Sequence, residues 1–466
     1  MRIKTESDSI RNPKSAISTA LDRSIAAGLM IAVVFTTLAL GTVEAWSVAI
    51  FELIVLVLVL LWAVKAIVDK HVELRIPSAT LPLGAFVLLG VVQSIALTGS
   101  DGRTSSLSMD VEATRGAATV IFFLFLCFLI TSNFFTSPER LRTLANFLII
   151  FGLALAVFAL VQHFTWEGRL FWLRASKTAT GLGGPFVNRN HFAGYMEMLI
   201  PIPIALALSR AAGSEARLFF GFAAAIMGIA HVSSLSRGGM VSLAAGVLFL
   251  AAMHVTRKRD DPEARKRSSF ISPVPVMLLM LAAIAVGVFW VGAEFDVIKR
   301  IADVPLTTSA TSDRKAIWAD TLRMFTANPI LGAGLGSYET VYPLYGRGDG
   351  SVLIQFAHND YLQVLAEGGL VGGAIGIWFI AVSLRSFAIG FKSRNELLRT
   401  LSLGSAAGIF AILVHSLFDF NLQIPSNALL FLVLSAVVSR IAATVSTVET
   451  QHSVRARAEN PAAAAG

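Results

Sequence analysis

Three basic groups, far apart in the chain, have the chemistry to act on a phosphate-bearing substrate: Arg237 in SSLSRGGMVSL, Arg314 in SDRKAIWADTLRMFTA and His358 in HNDYLQVLAEGGLVGGAIG. A guanidinium stays charged at any relevant pH and binds a diphosphate through paired N–H bonds. An imidazole can take a proton from a hydroxyl nucleophile near neutral pH. No outward His, Asp or Glu cluster has obvious metal-ligand spacing, and the Asp260-Asp261 pair lies in a basic loop. A metal-free reaction on a phosphate-bearing substrate fits this inventory, with no cofactor expected. The single cysteine, Cys127, sits in an apolar run; it reads as a packing residue and excludes a disulfide within the chain and a Cys-based metal site.

Other polar residues have two readings each. Asn188, Asn190 and His191, in GGPFVNRNHFAGY, either hydrogen-bond sugar hydroxyls or phosphate oxygens or cap the helix that starts there. Arg237 is either neutralised by a carboxylate of a neighbouring span or grips a phosphate. Glu197, deeper in its span, is expected to face the bundle interior or a wet cavity. Glu367, close to His358, is a candidate substrate contact. His415 and Asp419, four apart, form either a His-Asp pair that fixes a tautomer or a helix-end capping pair, and capping is the favoured reading. His163 and Trp290 read as membrane-interface residues.

The elements that must position these groups are apolar helices. At 466 residues, 55% hydrophobic and 15% charged, with mean hydropathy +0.70, the chain reads as an all-α polytopic membrane protein. Apolar spans fall at 24–43, 46–68, 79–98, 114–133, 143–163, 191–208, 218–235, 238–256, 273–293, 366–388, 400–418 and 427–446, about twelve transmembrane helices. The expected organisation is a cytoplasmic tail over 1–22, helices 1–9 over 23–293, an outer loop over 294–365, helices 10–12 over 366–446 and a disordered cytoplasmic tail over 447–466. The first apolar run is spanning length, with no A-x-A-like cleavage site after it, so no signal peptide is expected. Lys70, Arg75, Arg140, Arg142, Arg210, Arg217, the run RKRDDPEARKR at 257–267, Lys392, Arg394 and Arg399 share the side of the N-terminus, which the positive-inside rule makes cytoplasmic. The net charge of +8 therefore reports topology rather than a nucleic-acid partner, and the 257–267 run reads as a topology anchor rather than an anionic-lipid site.

Two long outer stretches remain, 164–190 and 294–357. In the second, Ser312 or Asp313 looks like an N-cap and Asn328-Pro329 a stop. Between them Ile317, Trp318, Thr321, Leu322 and Phe325 make one face of an amphipathic helix on the outer membrane surface, with Arg314 in its first turn, where the dipole also favours an anion. PILGAGLGSYE follows as a glycine-punctuated turn, similar to a phosphate loop only superficially, since it lacks the Gly-Lys-Ser/Thr ending. A helical rise of 1.5 Å per residue puts His358 roughly 15 Å beyond Gly368, at the rim of the membrane. Gly368-Gly369 is expected to bend that helix, and glycines spaced by four, through Gly376, to admit a close neighbour.

The order SDR-x3-W, NPILGAGLGSYE, HNDYLQVLAEGGLVG, with NRNHFAGY and SRGG upstream, resembles the signature region of the O-antigen ligase and Wzy-type polymerase superfamily over roughly residues 180–385. The resemblance implies transfer of glycan from undecaprenyl diphosphate to an acceptor hydroxyl on the periplasmic side of the inner membrane, without metal or nucleotide sugar. His358 would be the base, and Arg237 and Arg314 would hold the diphosphate. The acceptor would be lipid A-core for a ligase, another lipid-linked repeat unit of O-antigen or exopolysaccharide for a polymerase, or Ser or Thr for a protein O-oligosaccharyltransferase. The family's ligases show an Arg-x3-Leu pattern where Arg237 is followed by Val241; ligase nevertheless leads. A transporter or flippase would show discontinuous helices meeting near the midplane and an internal repeat, and no repeat is evident.

Overall fold

The computed structural model describes residues 13–71, 74–98, 104–175, 183–260, 309–347 and 353–459. Within them ten helices are long and apolar enough to cross a membrane, and the chain is an all-α polytopic membrane protein. Single spans are α1 (Pro13–Leu38), α2 (Ala45–Asp69), α4 (Val111–Phe134), α5 (Pro138–Phe164), α8 (Ser214–Ser233), α9 (Arg237–Asp260), α12 (Asp360–Phe391), α13 (Glu396–His415) and α14 (Pro425–Glu459); α6 (Arg189–Leu199) and α7 (Pro201–Leu208) make one more between them. α10 (Ser309–Ala327) and the short α11 (Tyr338–Val341) form a cap, and two small hairpins, Ala96–Thr98 with Thr104–Ser106 and Arg169–Leu170 with Arg174–Ala175, complete the fold.

The span expected over 79–98 is shorter: α3 (Thr80–Gln93) has 14 residues. It stops where a fully buried side chain is committed to loop backbone. Gln93 Nε2 donates to the carbonyls of Leu331 (2.5 Å) and Glu367 (2.8 Å), and its Oε1 accepts from Leu335 N (3.0 Å). The span expected at 273–293, with Trp290, lies outside the described residues, as does the basic run past Asp260. At the termini helix replaces expected tail. α1 starts at Pro13, a residue suited to the first helical position, and its Ser18 and Asp22 are held by α2: Ser18 Oγ donates to Asp69 (3.1 Å) and Asp22 pairs with Lys65 (3.3 Å). α14 continues to Glu459 because no Gly or Pro interrupts it before Asn460-Pro461, where the residue before proline disfavours helix.

The bundle has two distinct ends. At one, Asp22 joins Lys65 and Arg140 (2.7 Å), Arg142 donates to Ala211 O (3.3 Å) and Arg210 N to Glu396 (2.9 Å), so these basic loops among the described residues share a side. At the other lie the α1–α2 turn, the start of α6, the end of α13 and the start of α12. α6, α7, α13 and α14 are the most buried. α13 and α6 approach so closely that a Cβ on Gly408 would strike the Met198 carbonyl.

α12 breaks where expected, at Gly369 (φ 63°, ψ −160°). The loop PILGAGLG fills the break: Ala333 N donates to Ala366 O (2.9 Å), Gly334 N to Glu367 O (3.0 Å), Leu370 N to Pro329 O (2.8 Å) and Val371 N to Ile330 O (3.1 Å). These bonds satisfy backbone groups that the break would orphan, which is the role of this loop in the fold. A Cβ on Gly368 or Gly372 would lie 3.5 Å from the Leu89 side chain of α3, whereas one on Gly376 would meet nothing within 4 Å.

α10 begins at Ser309, before Ser312 and Asp313, so Arg314 stands beyond the first turn. Its inward face is Ile317, Asp320, Thr321 and Met324, while Leu322 is exposed. This orientation has a cause. Ile317 and Met324 join Tyr338, Val341, Tyr342 and Ala366 in a separate apolar cluster, and Asp320 accepts from Tyr342 Oη and Arg347 N, both at 3.1 Å.

Candidate functional site

His358 reaches the end of the bundle on a strained backbone, φ +50°, a left-handed conformation that non-glycine residues seldom adopt. The next two residues hold it there. Asn359 caps α12, accepting from Leu362 N (3.0 Å) and donating to Leu417 O (3.1 Å). Asp360 fastens the first turn to the α13–α14 connection, accepting from Ser416 Oγ (2.8 Å) and Leu422 N (3.2 Å) while its own N donates to Ser416 O (2.9 Å). Trp318 Nε1 donates to Ala357 O (3.0 Å) from the cap side.

This clamp brings His358 Nδ1 within 3.1 Å of Asp419 Oδ1, across 61 positions of sequence. Asp419 is 1% exposed and is the hub of the site. Its Oδ1 also accepts from Phe420 N (2.9 Å), its Oδ2 accepts from Asn190 Nδ2 (2.5 Å), and Arg314 Nη2 lies 3.8 Å from Oδ2. Burial opposes ionisation of this carboxyl, but the hydrogen bond from His358 and the basic groups around it, Arg314 among them, outweigh it and hold the carboxyl below the usual carboxylate range. An ionised carboxylate can only accept. His358 Nδ1 therefore carries the proton, and Nε2 presents its lone pair on a side chain 31% exposed. Phe420 fixes the ring plane, meeting His358 edge-on at 4.9 Å and His191 at 4.8 Å, with Phe356 stacked on it at 4.3 Å.

The expected site residues thus separate into groups. His358, Arg314 and Asn190 converge on Asp419. Asn188 is a helix cap, its Oδ1 accepting from Asn190 N (2.9 Å), and buried His191 packs on Phe420. Arg237 opens α9, exposed and without an ion-pair partner among the described residues, and the neighbouring Gly238 lies against His415 and Phe418, so its backbone emerges beside the segment that carries Asp419. Glu367 is not at the site. Buried at 3% exposure, it accepts from Tyr338 N (3.1 Å) and Gln363 Nε2 (3.4 Å), which makes it an anchor for the cap.

Asp419, where His358, Asn190 and Arg314 meet, is the residue that sequence reasoning assigned to a lesser task. Its local partner four positions back, His415, instead donates Nδ1 to Glu197 at 3.0 and 3.1 Å, inside the bundle as expected for Glu197. A pairing between residues in different helices leaves no periodicity in either one.

Chemically, the arrangement offers a base with a free, reachable nitrogen, a buried carboxylate that orients it and steadies it when protonated, and a guanidinium beside both. Residues 222–377 of the chain match the family model Wzy_C, described as O-Antigen ligase; the matched stretch contains Arg237, Arg314 and His358. No curated protein matches the chain in sequence.

Proposed function

We propose that this chain, whose residues 222–377 belong to the O-antigen ligase family, transfers glycan from undecaprenyl diphosphate to an acceptor hydroxyl of lipid A-core at the periplasmic face of the inner membrane. The observation that carries the reading is the sharing of one buried carboxylate, Asp419, by an accessible histidine and an arginine. A base and a phosphate-binding cation are thereby held side by side. The basic loops gather at the opposite end of the bundle, which supports a periplasmic site by the positive-inside rule.

In the reaction so read, His358 Nε2 takes the proton of the acceptor hydroxyl as its oxygen attacks the anomeric carbon. The bond from that carbon to the diphosphate oxygen breaks, and the electron pair leaves with the lipid diphosphate. Arg314 and Arg237 meet the growing negative charge there, where fixed cations are worth most. Asp419 stabilises the imidazolium until its proton passes to solvent. Attack opposite the leaving group inverts the anomeric centre in a single displacement. The test is direct: purified protein given undecaprenyl-diphosphate glycan and lipid A-core is expected to release lipid diphosphate and form the glycosylated acceptor. No release with any acceptor would end the reading.

A further inference from the structure

Four of the eight histidines in the chain, at 191, 231, 358 and 415, gather at the site end of the bundle, and the mechanism uses only His358. Beneath it Glu197 of α6 lies with no exposed surface. His415 of α13 donates to both its oxygens, and His231 Nε2 of α8 stands 3.7 Å from Oε2. His231 has no hydrogen bond at either ring nitrogen among the described residues. A carboxylate and two imidazoles, fully buried among membrane-spanning helices, are costly to retain.

What the two rings touch is the first turn of α9. A Cβ on Gly238 would lie 3.0 Å from His415 Nε2, and one on Gly239 would lie 3.1 Å from His231 Nε2 and 2.8 Å from Ala193 Cβ. Ser236 closes the same turn, its Oγ accepting from Gly239 N (3.2 Å). The turn therefore rests on both imidazoles, Glu197 holds the His415 ring by hydrogen bonds and stands 3.7 Å from the His231 ring, and Arg237 is the side chain that leaves from it. SRGG acquires a physical meaning: the serine caps, the arginine projects, and the glycines let the backbone settle onto the rings.

We propose that Glu197, His415 and His231 are positioning residues for Arg237, a buried polar platform that sets where its guanidinium meets the donor diphosphate. The proposal rests on the function read above and adds to it how the second arginine is aimed. The three groups come from three helices, α6, α8 and α13, so the platform ties the placement of Arg237 to the packing of the bundle core.

The test is a double-mutant cycle on the full-length protein, reading undecaprenyl diphosphate binding and the KM of donor and acceptor separately. Glu197→Gln keeps the shape and removes the charge. It is expected to weaken lipid diphosphate binding roughly tenfold, the scale of one charge-assisted contact, and to raise donor KM while leaving acceptor KM unchanged. In an Arg237→Ala background the same change is expected to add nothing. No loss in the parent, or an equal loss in both backgrounds, overturns the proposal, because a residue that only supports the fold weakens both alike. If Glu197→Gln is not recovered folded, Gly238→Ala replaces it in the same two backgrounds, pressing a methyl on the His415 ring, with the same expected and overturning results. A parent protein that neither binds nor releases lipid diphosphate refutes the functional reading and the platform with it. A parent that does both, with additive variants, refutes the platform alone.

Discussion

At the scale of single residues, the His358–Asp419 pair makes the sharpest demands. Asp419→Asn removes the charge and replaces one of the two acceptor oxygens with an amide donor, so the His358 tautomer is no longer fixed, and transfer is expected to fall by on the order of a hundredfold or more, measured as kcat with saturating donor and acceptor. The same substitution is expected to lower stability near pH 7 by roughly 1–3 kcal/mol, the range for a charged hydrogen bond. Its pH dependence has a definite sign. Because the folded carboxyl is held below its ordinary value, the stabilisation is complete above about pH 4 and is lost only as pH falls through the folded value. Thermal midpoints of parent and Asp419→Asn should stay apart from pH 5 to 8 and approach one another only in strong acid. Arg314→Lys keeps the charge but loses the planar fork, and a roughly tenfold drop in kcat/KM for the donor is expected; kinetics like those of the parent would remove bidentate phosphate binding from the reading. At this scale the sequence was informative about type and not about partner. His358, Arg314 and Asn190 were legible because such groups are rare at the edge of an apolar span. Asp419 was not, because a histidine four residues away offered a local partner, and only the packing of α13 against α6 shows that His415 turns to Glu197 instead.

At the scale of elements, the broken helix α12 and the loop in its gap form the structure on which His358 depends. Gly369→Ala places a side chain at φ +63° against the Ile330 carbonyl. It is expected to cost roughly 1–3 kcal/mol from the backbone alone, seen as a lower thermal midpoint in detergent, and to depress transfer because residues 358–368 lose their footing. The glycine pair was readable as a bend. That PILGAGLG would complete the backbone of the bend was not, since the pairing joins residues 33 to 41 apart and needs both strands of chain in place. The face of α10 was only partly legible for a related reason: apolar periodicity grouped Ile317, Thr321 and Leu322, and it carried no sign that the hydrogen bonds of Asp320 turn that polar residue toward the cap. α3 shows the same limit, its hydropathy continuing past Gln93 while the amide of Gln93 is already taken by loop carbonyls.

At the scale of the whole molecule, hydropathy and charge gave the class, most spans and the common side of the basic loops, because those follow from solvent and field rather than from contacts. The acceptor is a question for the cell. In a strain lacking this chain, the proposed function predicts loss of glycan from lipid A-core with polymer retained on the carrier lipid, visible by gel and by lipid extraction; accumulation of single repeat units would instead identify a polymerase. The hinge at Gly369 has a further consequence for the protein in its bilayer. Above it, α12 is bolted to the α13–α14 connection by Asp360 and to the cap by Ala333 and Gly334. Below it, the helix presents Leu370, Ile377, Trp378 and Leu384 outward. A thinner or thicker membrane is met by tilting of the spans it contacts, and here the loop bonded to both limbs across the break, with Phe379 against Phe431 and Phe387 against Phe249, holds the angle between them, so the limb bearing His358 stays in register with Asp419. Transfer rates measured in lipid discs of differing acyl-chain length should therefore vary little for the parent, and the active end would keep its geometry as the cell remodels its lipids with temperature.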